Sequence, residues 1–294
     1  MLWIVLALLG PIQHGLANII DNHLTNNIFK KISTLVFYAV MINIIFLPIV
    51  FLIARPAFIS FKIMSVLLLI SLTDILYLYP YFKALQSDDT STVGSLWSLG
   101  RIFVPLLAFI FVGEILTITK YLGFFIIIVS ASLLTWEGRL KFNRSILYMT
   151  ISSFLISLQG VLYKYVFISV SWGTGFFWST LMTVILISLS VLVKNIRLGV
   201  MSEWPAFYKN IKIFFLEELL TFGGSAAFTL AISLTSVTLV NAISAFQPFF
   251  VLVYAAIFKR YFPRIFKEKL DSMTITKKIL LFMVMSIGVV LLFM

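Results

Sequence analysis

Apolar residues run along this chain in blocks of about twenty, each ended by a short polar turn, and the pattern recurs from one end to the other. About twenty apolar residues is the length an α-helix needs to cross the hydrocarbon of a bilayer. Ten such blocks can be marked: 1–20, 33–53, 63–83, 92–112, 120–136, 146–168, 175–194, 211–234, 237–258 and 277–294. They predict an all-α integral membrane protein of ten transmembrane helices, with almost no chain left for a soluble domain. The first block, MLWIVLALLGPIQHGLANII, lacks both the basic n-region and the A-x-A-like cleavage site of a signal peptide, so it reads as a retained helix.

Composition supports this reading. The 294 residues are 61% hydrophobic and 11% charged, with a mean hydropathy of +1.10. A soluble domain with those proportions would expose a large apolar surface. The absence of cysteine excludes disulfides, thiolate metal sites and cysteine nucleophiles. A net charge of +11 raises the question of nucleic acid. The basic residues, however, lie in short loops rather than in one aromatic-interleaved patch, which suits anionic lipid headgroups. A heavy share falls in KRYFPRIFKEKLDSMTITKK, Lys259 to Lys278. Most of the rest also follow odd-numbered blocks, which predicts that those loops are cytoplasmic and that both termini lie outside.

Five blocks fall in residues 1–136 and five in 146–294, joined by a linker at 137–145 that contains EGRLKFNR. Sliding one half over the other by 145 positions sets QHG, Gln13 to Gly15, on LQG, Leu158 to Gly160, so that His14 falls on Gln159. A shift of 147 sets KALQSDDTSTVGSLWSLGRIF, Lys83 to Phe103, on LAISLTSVTLVNAISAFQPFF, Leu230 to Phe250. In both stretches a block ends on alanine and an aliphatic residue, a short Ser/Thr-containing turn follows, and the next block opens with valine. An odd number of spans per half forces opposite orientations, so the repeat would be inverted in the membrane.

Several segments resemble the drug/metabolite transporter superfamily in its ten-span, EamA-like form. They are YFKAL with its Ser/Thr turn (Tyr81 to Leu96), GEILTITKYLGFFIIIVSASLL (Gly113 to Leu134), and AISLTSVTLVNAISAFQPFFVLVYA (Ala231 to Ala255), with Pro248 where the family often has proline. Two positions depart from the pattern. Arg101, with Pro105 one turn later, stands where the second half has Pro248, and Tyr261 stands where Glu114 would predict a second glutamate. The resemblance implies a permease for a small organic solute, a metabolite or amino-acid-like compound, in the cell membrane (the inner membrane of a bacterium). It also implies cytoplasmic termini, against the charge pattern, so orientation stays open. The four-helix relatives exchange protons on a glutamate in their first helix. Here that span offers only His14, with Asp21 near its end, so coupling to protons and facilitated exchange are both open.

Ionisable groups inside an apolar span are costly and mark a partner or a wet cavity. Asp74 lies halfway along the third span, with Tyr77 and Tyr81 on its helical face at i+3 and i+7. Arg101 lies at matching depth in the fourth span, with Trp97 on its stripe. Because a very short turn joins these spans, Asp74 and Arg101 are expected to meet, either as a structural ion pair or as a substrate site or gate. Glu217 and Glu218 open the eighth span, and 100° of rotation between them predicts that one faces the bundle and the other the headgroups. The adjacent Gly223 and Gly224 predict a close helix approach or a kink. His14 and its repeat counterpart Gln159 sit mid-span, and Gly15 and Gly160 suit tight packing beside them. Lys164 is expected to snorkel. Lys83 has Asp88 and Asp89 as natural partners, and Glu114 is expected to cap the next helix or pair with Lys120.

The candidate substrate-binding set is therefore Asp74, Arg101, Tyr77, Tyr81, Trp97, His14, Gln159 and Glu217. The first, third, fourth, sixth, eighth and ninth spans are expected to line one cavity. With two histidines, no cysteine, no phosphate loop and no nucleophile elbow, neither a cofactor nor a metal is expected, and the chain is not expected to be an enzyme. The expected partners are a small-molecule solute and the lipid bilayer, not nucleic acid. A flippase for a lipid or lipid-linked sugar is the nearest alternative, and a polytopic lipid-modifying enzyme a more distant one.

Overall fold

A computed structural model describes residues 1–87, 90–134, 144–258 and 272–294; no strand occurs among them. Most of the basic stretch from Lys259, most of the 137–145 linker, Trp136, Asp88, Asp89 and Tyr261 lie outside the described residues.

Helix α1 (Leu2–His23) continues into a π-turn, Leu24–Ile28. Next come α2 (Ile32–Met41), a 3-10 turn over Ile42–Ile45, and α3 (Leu47–Ala54), with a bend of 41° between the two helices. Pro48 at the start of α3 lacks the N–H that would carry the ladder through, and this accounts for the break. Helix α4 (Phe61–Leu76) is capped by Ser60, whose hydroxyl accepts from the Ile63 N–H at 3.4 Å, and a turn at Tyr77 leads into α5 (Leu78–Ser87). Then follow α6 (Thr90–Gly100), a 3-10 turn at Arg101–Phe103, α7 (Val104–Val112) and α8 (Ile118–Leu134). Pro105 opens α7, and Gly113, at φ +65, ends it in the left-handed region that glycine adopts without strain.

The rest of the chain forms α9 (Arg144–Phe167), α10 (Trp172–Leu189), α11 (Lys194–Lys209), α12 (Ile211–Leu234), α13 (Val237–Ser244), α14 (Gln247–Phe258) and α15 (Ser272–Leu292). Five helical segments are long and apolar enough to cross a membrane: Leu2–Ile28, Phe61–Ser87, Arg144–Phe167, Trp172–Leu192 and Ile211–Leu234. The bent α2–α3 pair makes a sixth if it is one span. Side chains such as Leu52, Ile53, Leu106 and Ile110 stand on the outside, as lipid contact requires.

Helix α11 occupies the interval between the seventh and eighth apolar blocks, where the sequence reading has no element. Its charges and Pro205 hide it from a search for apolar runs. One face buries Gly199, Glu203 and Phe207, and the Phe207 ring stacks on Tyr38 at 4.2 Å.

Helix α1 packs along α12, α4 along α10, and α9 against α4, α5, α6 and α7, while α8 packs along α15. The last crossing is close because both helices present glycine. A Cβ added at Gly123 would come within 2.6 Å of the Gly288 carbonyl oxygen, and one at Gly288 within 2.7 Å of Ile127 Cγ1. Small residues that let backbones approach are what holds helices together where lipid offers no hydrophobic drive.

Candidate functional site

A cavity of about 160 Å³ opens in the middle of the bundle. All eight candidate side chains line it: His14 from α1, Asp74 from α4, Tyr77 and Tyr81 around the start of α5, Trp97 from α6, Arg101 from the 3-10 turn, Gln159 from α9 and Glu217 from α12. The expected lining spans are present. The second and seventh apolar blocks contribute as well, through Asn43, Thr180 and Thr183.

Polar groups from several helices meet around the cavity wall. Helices α1 and α12 run antiparallel, and His14 lies against Gly224, where a Cβ would meet the imidazole Nε2 at 2.9 Å. Seven residues further along α1 is Asp21, and seven residues earlier on α12 is Glu217. At about 1.5 Å per residue both lie about 10 Å from the His14 level, on the same side. Here Tyr81 donates to Asp21 Oδ2 and Asn18 Oδ1, each at 2.9 Å. Thr221 donates to Glu217 Oε1 at 2.7 Å, and Asn43 bonds Glu218. Asp74 Oδ1 accepts from Gln159 Nε2 at 2.8 Å. Arg101 Nη1 donates to Asn241 Oδ1 at 3.3 Å and Nη2 to Gln247 Oε1 at 3.5 Å. Rings edge the space between: Trp97 lies T-shaped to Tyr77 at 5.8 Å and to Tyr81 at 5.2 Å.

Several expectations need correction. Asp74 and Arg101 share the cavity but do not pair. The 3-10 turn at Arg101 departs from the regular helical path, and the guanidinium reaches across to α13 and α14, while Asp74 turns to α9. Glu217 and Glu218 do not divide between bundle and headgroups, because both are buried and line the cavity. At Gly223 and Gly224 the close approach holds and the kink does not: α12 runs on as one helix, and the glycines admit Gln13 and His14 of α1. Gly15 is in tight contact with Phe250, but Gly160 has ordinary van der Waals room.

Lys164, near the end of α9, reaches the end of a neighbouring helix. Its ammonium donates to the carbonyls of Ile232, at 3.1 Å, and Thr235, at 2.7 Å, at the C-terminus of α12. Glu114 caps α13 rather than α8, accepting from the Ser236 hydroxyl at 2.7 Å and from the N–H groups of Val237 at 3.0 Å and Thr238 at 3.1 Å.

The sequence reading left Asp21, Glu218, Asn18, Asn43, Asn241 and Gln247 out of the site. Asn18 and Asp21 were findable: with His14 they form an i, i+4, i+7 stripe, one face of a single helix. Asn241 and Gln247 flank a break between α13 and α14 that no apolar count reveals.

No family model matches the chain, and no curated protein matches it. A solved structure described only as "Crystal structure of protein" superposes with a TM-score of 0.62 over 97% of this chain and 98% of that chain, at 15% identity. At that identity the likeness shows a shared fold and nothing more.

Proposed function

We propose that this protein is a secondary transporter, carrying a small organic solute across the membrane by alternating access. The observation that carries the reading is the cavity. An apolar bundle keeps four carboxyl groups, a histidine and an arginine around one hollow among its helices, drawn from both halves of the chain. Ionisable groups at such depth are costly unless they serve a pathway.

The proposal extends to ten spans in two inverted halves, as in the superfamily that the sequence resembles. The shorter apolar helices Leu96–Val112, Ile118–Leu133, Val237–Val251 and Ile279–Leu292 supply the spans beyond the six already described. Packing repeats in the order an inverted duplication requires: α1 contacts α12, α13 and α14, and α9, its counterpart, contacts α4, α5, α6 and α7. Each half also breaks its fourth span, at Arg101–Phe103 and again at Ala245–Phe246, and under the shift of 147 the two breaks fall within a few residues of each other. Discontinuous helices at the repeat interface suit a site at the membrane midplane. Pro105 and Pro248, beside the breaks, would let one half rock on the other.

The cavity volume favours a small solute over a lipid-linked sugar, since ligand sites for drug-sized molecules run to about 300 Å³ and above. The test is uptake into proteoliposomes with a metabolite panel, comparing the native chain with Asp74→Asn and Arg101→Gln. Accumulation of a panel solute that both variants reduce is the expected result. If no panel solute crosses faster than in protein-free vesicles, the reading falls.

A further inference from the structure

We propose that α11 lies in the plane of the membrane surface as a docking element, and that its partner there is the headgroup layer of anionic phospholipid. The inference stands apart from the transporter reading. It needs only that the two flanking helices cross the bilayer.

Position comes first. Trp172–Leu192, before α11, and Ile211–Leu234, after it, are both long and apolar enough to span. The 16-residue helix between them carries Lys194, Arg197, Glu203 and Lys209, too many charges for a span of its own. It joins two span ends, so it belongs where those helices leave the hydrocarbon.

The inner face of α11 is taken up by α2 and the residues just before it. A Cβ added at Gly199 would meet Thr34 Oγ1 at 2.7 Å, the Lys30 N–H donates to Glu203 Oε1 at 3.0 Å, and the Tyr38 hydroxyl donates to the Val200 carbonyl at 2.7 Å. With Phe207 stacked on Tyr38, these contacts fix the rotation of the helix about its own axis. The outer face is what that rotation leaves. At 100° per residue, Leu198, Met201, Trp204, Pro205 and Tyr208 fall within about a third of a turn, opposite Gly199, Glu203 and Phe207. Leu198, Met201, Trp204 and Tyr208 are between 50% and 67% exposed, a stripe that water alone would disfavour. The Trp204 ring lies 5.6 Å from Phe207 and stacks with Tyr208 at 6.4 Å, and such amphipathic rings settle at headgroup depth.

Charge names the partner. Exposed Lys194 and Arg197 stand at the start of the stripe, and exposed Lys209 and Lys212 at its end. The one acid of the helix, Glu203, is buried on the inner face. Lys194 and Arg197 lie at the N-terminal end, where the macrodipole disfavours cations, so they do not serve the helix itself. Apolar and aromatic side chains bracketed by positive charge alone are complementary to anionic headgroups above acyl chains.

The chain has no cysteine, so a single thiol can report from this face. Met201→Cys is labelled with bimane, and the full-length chain is reconstituted in phosphatidylcholine vesicles. Nitroxide-bearing phosphatidylglycerol or nitroxide-bearing phosphatidylcholine is added in equal trace amounts, with the quencher near the top of one acyl chain. Both lipids are expected to quench, phosphatidylglycerol about threefold or more the stronger at low salt, with that excess shrinking in high salt. Replacing Lys194, Arg197 and Lys209 together by glutamine is expected to remove the excess and leave quenching by phosphatidylcholine unchanged, whereas Lys62→Gln with Lys120→Gln leaves both. If neither lipid quenches, α11 faces water, a second copy or another protein, and the inference is overturned. It is also overturned if the two lipids quench alike, or if the excess survives the triple substitution. Should the triple variant fail to fold, the salt dependence of the excess on the labelled chain decides alone.

Discussion

At the scale of single residues, the informative positions are polar side chains that an apolar span would exclude unless they had a use. Asp74 is the clearest. Its carboxylate is bonded by Gln159, at 2.8 Å, and by Thr183, and an asparagine at that position keeps the shape while losing the charge. Asp74→Asn is therefore expected to insert and fold, with an unchanged elution profile and melting temperature, while transport falls by about tenfold or more. Equal transport by this variant would remove Asp74 from the mechanism. Asp74, Arg101, His14 and Gln159 were legible in the sequence because each stands alone in hydrocarbon-like surroundings. Their partners were not. Which atom a side chain reaches depends on the local turn of the backbone, and the 3-10 residues at Arg101 send its guanidinium to Asn241 rather than to Asp74. Asp21 was passed over because it closes its apolar block, where a charge ordinarily meets headgroups. The 27-residue segment Leu2–Ile28 carries it further inside.

Elements are held by two devices that differ in how far the sequence discloses them. The junction between α12 and α13 is gripped from both sides. Lys164 of α9 holds the last carbonyls of α12, and Glu114, just after α7, holds the first amides of α13. Each charge meets the helix end of opposite partial sign. Glu114→Ala leaves two amides and a hydroxyl without their acceptor and is expected to cost about 2 kcal/mol, read as a lowered melting temperature in detergent. Lys120→Ala is the control, and an equal loss there would discount the cap. A helix propensity or a motif can suggest that Glu114 caps something, but only the fold says which helix.

Glycine spacing shows the same limit. At Gly288 a methyl group meets Ile127 and the Gly123 carbonyl, whereas at Gly94 it meets none of the described residues within 4 Å. Gly288→Ala is therefore expected to destabilise by about 1–3 kcal/mol through overpacking. Gly94→Ala is expected to be neutral or to stabilise by up to about 1 kcal/mol, by restricting the unfolded chain. Thermal unfolding of the two variants side by side decides; the same sign of effect at both would contradict the packing described for α8 and α15. Both glycines look alike as letters in apolar blocks, and α11 was missed altogether because its mixed face offers no apolar run to count.

For the whole molecule, block length made the membrane class and helical content legible, and the pairing of His14 with Gln159 under a fixed shift suggested where two halves would meet. What could not be read was that eight of the ten blocks contribute side chains to one hollow, because contributions such as Asn43 and Thr180 are unremarkable in sequence. If that hollow serves alternating access, its walls must face different compartments at different times, and a chain without cysteine is suited to showing it. Ser225→Cys on α12 and Thr180→Cys on α10 each place a single thiol in the cavity wall. Vesicles of both orientations, treated with a membrane-impermeant maleimide from one side, should label each thiol from one face in the absence of solute. Addition of a transported solute should change that rate by about fivefold or more as the population of open states shifts. Rocking about the breaks near Arg101 and Phe246 exposes the same wall to the other face, so labelling from that face should rise as the first falls. If neither thiol reacts from either side under any condition, the hollow is a sealed packing defect and alternating access through it is refuted.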